Sequence, residues 1–286
     1  AWVRQSKELY LSYFGAVGGG IDEQAIYEAA VIMHIATGKK LFIDVAVTLL
    51  TPTTVSSFNS LDIEFLERAA YGPNAQVLEI IGEYGQSSAI SAIVNEVYPA
   101  GATDEVSKVT VASVGDITTS DVVQVVSSDV YAFDSGVEKA ELMSVLAVVG
   151  SDVYLHGLLK DTYSTSPILK KIIKKDINLI VKAEGFGDVV NDATTVVPNA
   201  ARSCVSETLS VSSNILLDVK NGWGAGLTRV SCFFSYAKVR ANYLRNYPAG
   251  GSFGYGVEDV ASSRFCFSNV KAKLVRHSRT SNTFQS

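Results

Sequence analysis

Two groups of basic side chains are the residues of this chain best suited to bind a ligand. The first lies in residues 166–175, where pairs of apolar residues and pairs of lysines alternate. This spacing predicts a helix that begins at Ser166 and Pro167, with apolar pairs on one side and four lysines on the other. The lysines are Lys170, Lys171, Lys174 and Lys175. Because like charges at this spacing repel one another, an anionic partner would be favourable; the alternative is a solvated face.

The second group lies in residues 221–279, where nine Lys and Arg residues accompany two acidic residues and many aromatic ones. Cations on phosphates and aromatic rings on bases are the usual means of holding single-stranded nucleic acid. The predicted contact residues are Lys238, Arg240, Tyr243, Arg245 and Tyr247. Phe233 and Phe234 fit the apolar stripe of a predicted helix and are assigned to the core. An ion-paired surface between copies of the chain and a solvated surface are the alternatives.

No local motif predicts catalysis or a metal site. Residues 250–254 match the G-x-S-x-G nucleophile elbow, but they follow a predicted helix and leave His277 as the only later histidine. His34, His156 and His277 have no Cys or carboxylate at ligand spacing, and His34 is assigned to a core or an interface. We therefore predict no catalytic residue, no metal and no cofactor.

A glycine-rich stretch at residues 15–20 precedes a predicted helix and resembles a phosphate cradle. It lacks a preceding strand, and Asp22 and Glu23, which follow it, would repel a phosphate. We interpret it as a hinge after an N-terminal arm.

The charge of the chain is divided unevenly between its halves. Residues 1–143 hold 7 Lys and Arg against 19 Asp and Glu, whereas residues 144–286 hold 17 against 10. Asymmetry of this kind indicates a partner of opposite charge, either nucleic acid or another copy of the same chain.

The composition indicates a surface suited to contact with other proteins. Only 19% of the 286 residues are charged, against a typical quarter. The three cysteines, Cys204, Cys232 and Cys266, are odd in number and form no C-x-x-C pair, which argues against a disulfide framework. The longest apolar run, residues 41–50, is too short to span a bilayer, so no membrane partner is expected.

The hydrophobic periodicity predicts an α+β fold, with a helical N-terminal third followed by mixed strands and helices. Helices are predicted at residues 22–38, 60–71, 74–81, 90–97, 136–149, 166–175 and 227–244. Strict alternation predicts a strand at residues 41–49, and further extended segments include residues 108–114, 205–219 and 264–275. No repeat of fixed period is evident.

Composition and charge divide the chain into four predicted segments. These are an N-terminal arm (1–20), an acidic helix-rich lobe with a mixed α/β segment (21–187), a basic aromatic-rich lobe (199–276) and a C-terminal tail (277–286).

These features favour a self-assembling viral structural protein, a coat or nucleocapsid subunit, that is not an enzyme. Contact between the acidic half of one copy and the basic half of the next would be heterologous and would build a shell or filament. The expected partners are other copies of the chain and single-stranded nucleic acid, and the expected location is the virion, with the host cytoplasm during assembly. The alternatives are a phage tail-tube-type protein and an enzyme whose site forms no local motif.

Overall fold

The computed structural model of the chain describes residues 7–71, 77–131, 134–186, 203–223, 225–245, 257–260, 263 and 265–275. Regular structure in these residues is nearly all β-strand, with one α-helix, α1 (Gln24–Thr37), and one 3-10 turn (Leu11–Phe14). Contacts divide the chain into two units. Residues 82–174 form an inserted unit, and the strands on both sides of that segment build the first unit.

The strands are numbered in chain order. Before the insertion they are β1 (Leu9–Tyr10), β2 (Leu41–Ile43), β3 (Thr48–Leu49), β4 (Thr54–Val55), β5 (Ser60–Phe65), β6 (Ala70–Tyr71) and β7 (Leu78–Ile81). Within the insertion they are β8 (Tyr84–Val97), β9 (Glu105–Val111), β10 (Val122–Tyr131), β11 (Asp134–Val149), β12 (Asp152–Leu155) and β13 (Ile168–Ile172). After it they are β14 (Asp176–Phe186), β15 (Ser203–Thr208), β16 (Asn214–Trp223), β17 (Ala225–Val230), β18 (Tyr236–Arg245), β19 (Val257–Val260) and β20 (Phe267–Val275).

The first unit is a parallel β-helix, in which the chain passes repeatedly through the same sheets. Seven strands form what we call the long sheet, in the order β1-β2-β5-β14-β16-β18-β20. Five strands form the second sheet, in the order β19-β17-β15-β7-β4, and β3 pairs with β6. Every one of these pairs is parallel. Successive coils of the chain therefore stack strand upon strand.

Equivalent residues of neighbouring coils lie directly beside one another. Leu41 pairs with Ile63, and Asn214 pairs with Tyr236, in both cases 22 positions along the chain. Register partners in neighbouring coils point in the same direction, inward or outward, but they are not the same type of residue. Other coils differ in length, since Asn178 pairs with Asn214, 36 positions along the chain, and the sequence therefore shows no repeat of fixed period.

The core of the β-helix consists of inward columns of apolar side chains. Leu41, Ile63, Leu179, Ile215 and Ala237 are register partners on five successive strands of the long sheet, and none of them is exposed. Burial of each Leu or Ile side chain contributes about 1.5–3 kcal/mol. Alternation along each strand sends the intervening residues to the outer face of the sheet.

Helix α1 packs against the core through one face. Tyr27, Ala30 and Val31 are buried, and the helix ends at Gly38 in a left-handed conformation. The fully buried His34 donates from Nδ1 to the Lys39 carbonyl and accepts at Nε2 from the Asp62 N–H, at 3.1 Å. The predicted helix at 22–38 and the assignment of His34 to a core are confirmed.

The predicted α+β fold with a helical N-terminal third is wrong, because most of the predicted helices are strands. The affected segments, 60–71, 77–81, 90–97, 136–149, 166–175 and 227–244, contain β5 to β8, β11, β13, β17 and β18. In β5 the buried Leu61, Ile63 and Phe65 alternate with outward Asp62 and Glu64. Those acidic residues resemble a helix start, but the period of two is that of a strand. The predicted strand at 41–49 is correct only at its two ends, which form β2 and β3 in different sheets, whereas residues 44–47 are not strand.

The predicted segments 1–20, 21–187, 199–276 and 277–286 stay a prediction as domains. The last of them lies outside the described residues. Among the described residues no helix has the length and apolar character needed to cross a membrane.

A ladder of buried charges joins three coils in the second sheet. Arg229 pairs in register with Glu207 on one side and with Asp259 on the other, and neither Arg229 nor Glu207 is exposed. The Arg229 guanidinium donates to both Asp259 oxygens, at 2.6 and 3.1 Å, and to the Ser235 carbonyl at 3.1 Å. Glu207 accepts from the hydroxyls of Ser210 and Ser235. Each of these charged groups is thus ion-paired or hydrogen-bonded, which offsets the free-energy cost of removing it from water.

Arg229→Ala is expected to lower the free energy of unfolding by about 3–5 kcal/mol, because it leaves buried carboxylates without their cation. Arg240→Ala, at an exposed arginine on β18, is the matched control and should change stability by less than about 0.5 kcal/mol. Urea denaturation of both variants measures the difference. Equal effects would mean that the ladder does not stabilise the fold.

The inserted unit is a closed antiparallel barrel with the strand order β10-β11-β12-β9-β8-β13. Its own core is apolar and separate from that of the β-helix. Val123, Val145, Val153 and Leu169 are fully buried within it. Closure of the barrel leaves no free sheet edge.

The barrel interrupts one coil without disturbing the stacking on either side. Ile63 of β5 pairs directly with Leu179 of β14, although the insertion separates them in sequence. In other coils the turn from the second sheet to the long sheet takes only four or five residues, at 56–59, 209–213 and 231–235. The barrel therefore occupies the place of an ordinary short turn.

Replacement of residues 82–174 by the four residues of the 56–59 turn, with Lys175 retained, should preserve the β-helix. The expected product is soluble and unfolds cooperatively with a β-type circular dichroism spectrum, because the apolar core of the β-helix is a separate cluster from that of the barrel. Loss of cooperative unfolding would show that the β-helix depends on the insertion.

Candidate functional site

The outer face of the long sheet carries polar, charged and aromatic side chains in rows across the coils. In one row Asp62, Asn178 and Asn214 form a hydrogen-bonded ladder: Asn178 Nδ2 donates to Asp62 Oδ1 at 2.9 Å, and Asn214 Nδ2 donates to Asn178 Oδ1 at 3.0 Å. The same row continues into Tyr236 and Phe267, which are 41% and 49% exposed. Amides and aromatic rings thus share one line on the surface.

A second row is charged. Lys182, Asp218, Arg240 and Lys271 are register partners on β14, β16, β18 and β20. Two residues further along β14 and β16, Glu184 and Lys220 form an ion pair at 2.7 Å. Between the two rows, Lys238 and Asn269 lie side by side on β18 and β20.

An open groove of about 650 Å³ adjoins the charged row on the β-helix. Its charged side chains are Arg68, Glu67, Lys182, Glu184 and Asp218, and its other lining residues are Gly19, Gly20, Ala46, Val47, Thr48, Leu66 and Ala70. The lining therefore combines three carboxylates and two cations with a partly apolar wall.

Arg68 fixes the geometry of the groove by contacts that span coils. Its NH1 donates to the carbonyls of Ala183 and Asp218, at 3.1 and 3.0 Å, and its NH2 contacts Asp218 Oδ2 at 2.7 Å. Lys182 donates from Nζ to the Leu66 carbonyl at 2.9 Å. These bonds hold the charged groups in place before any ligand arrives.

Backbone N–H groups of the glycine-rich loop donate hydrogen bonds to a carboxylate of the same chain. The N–H groups of Val17 and Gly18 donate to Glu23 Oε1, at 2.6 and 2.9 Å, and Glu23 is 2% exposed. The carboxylate takes the position that a phosphate would need, so the loop is not an anion site.

Of the predicted nucleic-acid contacts on β18, Lys238 is half-buried and Arg240 exposed on the outer face. Tyr243 and Arg245 belong to β18, but their side chains lie outside the described part of the structure, and Tyr247 lies wholly outside it. The assignment of Phe233 to the core is correct, whereas Phe234 is 48% exposed. The role of these residues in binding stays a prediction.

The four-lysine helix face does not form, because residues 168–172 are a strand. Lys170 lies over the Tyr84 ring at 4.8 Å, Lys171 pairs with Asp121 at 3.0 Å, and Lys174 is exposed. Lys175 is only 5% exposed and lies over the Phe58 ring at 5.4 Å. Alternation of the strand separates the lysines that a helix would have gathered.

Within the described residues, no group of three or more His, Cys, Asp and Glu residues could hold a metal ion. Residues 250–254 and His277 lie outside the described chain, and His156 is an exposed residue of the barrel unit. The three cysteines are free thiols, and burial raises the pKa of Cys266 to about 11. They are consequently poor nucleophiles.

The fold is similar to that of phage tailspike proteins. The tailspike protein gp49 from Pseudomonas phage LKA1 matches with a TM-score of 0.61 and 16% identity, over 92% of this chain and 46% of that one. The tailspike gp61 of Pseudomonas phage phi297 matches with a TM-score of 0.49 and 14% identity, over 95% and 50% of the two chains. The Gp54 tailspike of Acinetobacter baumannii bacteriophage AP22, solved with A. baumannii capsular saccharide, matches with a TM-score of 0.48 and 12% identity, over 90% and 51%.

No protein-family profile and no curated protein sequence matches the chain. At 16% identity the likeness to gp49 establishes the fold alone. The chain spans about half the length of the tailspikes that it resembles.

Sequence reasoning missed Arg68, Lys182, Glu184 and Asp218 as site residues. Arg68 and Asp218 meet although 150 positions separate them in the chain. The one local signal is the coil spacing, since Asp218 and Arg240 of the charged row are 22 positions apart.

Proposed function

We propose that the chain is the β-helical part of a phage tailspike-type structural protein, whose outer groove binds a bacterial surface polysaccharide. This proposal replaces the coat or nucleocapsid interpretation, because the likeness in fold is to tailspikes. It retains self-association and a location in the virion, which were expected from the charge of the two halves. Presence in the host cytoplasm during assembly stays a prediction.

The observation that carries the proposal is the preorganised polar groove around Arg68. A polysaccharide offers hydroxyls that both donate and accept, and the groove offers fixed carboxylates as acceptors and fixed cations as donors. Because the contacts of Arg68 and Lys182 already hold these groups, little side-chain entropy is lost on binding.

The openness of the groove also suits a polymer. Its walls are the turn that carries Leu66 and Arg68 and the outer side chains of β14 and β16. A chain of sugars can lie along such a groove and extend past both ends. A small metabolite would be held better by a closed pocket that buries most of its surface.

Glu184→Ala is expected to lower the affinity for a bound polysaccharide about tenfold, because a hydrogen bond to a charged group is lost. A panel of immobilised bacterial surface polysaccharides identifies the ligand, and biolayer interferometry measures the affinity. The control is Glu105→Ala, at an exposed acidic residue of the barrel unit. Absence of binding to every member of the panel would refute the proposal, as would unchanged affinity of the Glu184 variant.

A second candidate function is cleavage of that polysaccharide by Glu184 and Asp218. The register places these residues diagonally on adjacent strands, with Cα atoms about 8 Å apart. Because both side chains point outward from the same sheet, their carboxyl groups can reach the roughly 6.5–9.5 Å that separates the acid and base of inverting glycosidases. This candidate would reverse the expectation that the chain is not an enzyme.

If cleavage occurs, Glu184→Gln and Asp218→Asn should each lower the rate of reducing-end release at least about a hundredfold, because each role of acid or base is lost. The assay uses the polysaccharide identified by the panel. Intact polymer after prolonged incubation with the unaltered protein would leave binding as the function and exclude hydrolysis of that ligand.

A further inference from the structure

We propose that β18 and β20 form a subsite for an anionic polysaccharide, with aromatic rings that stack on sugar rings and cations that contact acidic groups. The proposed subsite consists of Tyr236, Lys238, Arg240, Phe267, Asn269 and Lys271 on the outer face, and we call it the aromatic-cationic strip. The inference rests on the proposed function and specifies the class of its ligand.

The strip begins at a cluster of exposed aromatic rings where the chain enters the two strands. Phe234 and Phe265 are 48% and 44% exposed, and their rings stack at 5.5 Å over the buried Phe233. Tyr236 and Phe267 continue the exposed surface onto the strands. Four neighbouring aromatic side chains of this exposure are unusual on a surface without a binding role.

The backbone is strained at the corner where the chain enters β18 and β20 and where these rings are exposed. Phe234 and Phe265 have φ values of 54° and 51°, in the left-handed region that bulky residues rarely adopt. The equivalent residue of the preceding coil, Ser212, has a φ of 62°. This corner thus has the same conformation in the three coils that enter β16, β18 and β20. Phenylalanine is a costly choice there, and such strain is typical of functional positions.

The cations of the strip have no acidic partner in the described chain. Lys238, Arg240 and Lys271 are the charged outer residues described on β18 and β20, and none of them forms an ion pair among the described residues. The acidic residues of the neighbouring strands are already engaged, since Asp218 pairs with Arg68 and Glu184 with Lys220. Three positive charges are thus available to a ligand.

The acidic residues on the strands beside the strip favour an acidic polysaccharide over nucleic acid. Outer residues along a strand are about 6.6 Å apart, so the strip from Tyr236 to Arg240 measures about 13 Å. A nucleic-acid strand carries a phosphate charge on every nucleotide. The carboxylates of Asp218 and Glu184 on the adjacent strands would repel so dense an anion. An acidic polysaccharide also carries uncharged hydroxyls, which can face those carboxylates, and the Asn178–Asn214 ladder offers amides to these hydroxyls.

The test compares three probes on the full chain by biolayer interferometry across a salt series: alginate, dextran and an oligodeoxythymidine. We expect alginate to bind at least tenfold more tightly than neutral dextran and more tightly than the oligonucleotide. Rising salt should weaken alginate binding, because exposed charges are screened. Tighter binding of the oligonucleotide, or equal binding of dextran and alginate, would overturn the proposal.

Variants assign the binding to the strip. The triple variant Lys238→Gln, Arg240→Gln and Lys271→Gln should bind alginate at least tenfold more weakly, and Phe267→Ala about fivefold more weakly. The matched control, Lys7→Gln, Lys39→Gln and Lys160→Gln, removes the same charge elsewhere and should retain affinity. Unchanged melting temperatures exclude misfolding.

Equal losses in the two triple variants would show that net charge alone attracts the polymer and would overturn the subsite. If the chain binds neutral polysaccharides of the panel through Glu184 but not alginate, the strip is refuted and the proposed function stands. If it binds no polysaccharide at all, both fail.

Discussion

The parallel register between successive coils is the constraint on which the rest of this structure depends. It places a residue of one coil beside its equivalent in the next, so that a single inward column such as Leu41, Ile63 and Leu179 runs through the core. The same register lines up the outward side chains. Binding chemistry that no single strand carries, such as the Asp62–Asn178–Asn214 ladder, is therefore assembled by stacking. The inward residues of the stacked strands form the core, and the outward residues of the same strands form the candidate site.

The two proposed binding regions use this arrangement differently. Around the groove, opposite charges are locked to one another and to backbone carbonyls, with Arg68 held by Ala183 and Asp218. Such a site offers rigid donors and acceptors. On β18 and β20 the cations form no ion pair among the described residues and lie beside exposed rings. That region offers charge and apolar area, and the two regions together suit a long, partly charged polymer.

The sequence predicts part of this structure correctly. Helix α1 follows from the spacing of its apolar residues and from Gly38, and these are local signals. Other helices fail because short strands such as β5 contain too few residues to distinguish a period of two from one of 3.6. Composition singles out Lys238 and Arg240, since basic and aromatic residues cluster there, but their role in binding stays a prediction. The contact between Arg68 and Asp218 cannot be predicted from local sequence, because only the stacking of distant coils brings these residues together.

The buried ladder of Glu207, Arg229 and Asp259 alternates in sign from coil to coil. If β17 were left out of the stack during assembly, Glu207 would face Asp259, and two carboxylates would meet without water or counterion. A mispaired intermediate of that kind would be unstable by several kcal/mol. The ladder can thus destabilise a stack from which one coil is missing. The apolar columns alone would tolerate such a stack, because their side chains can replace one another.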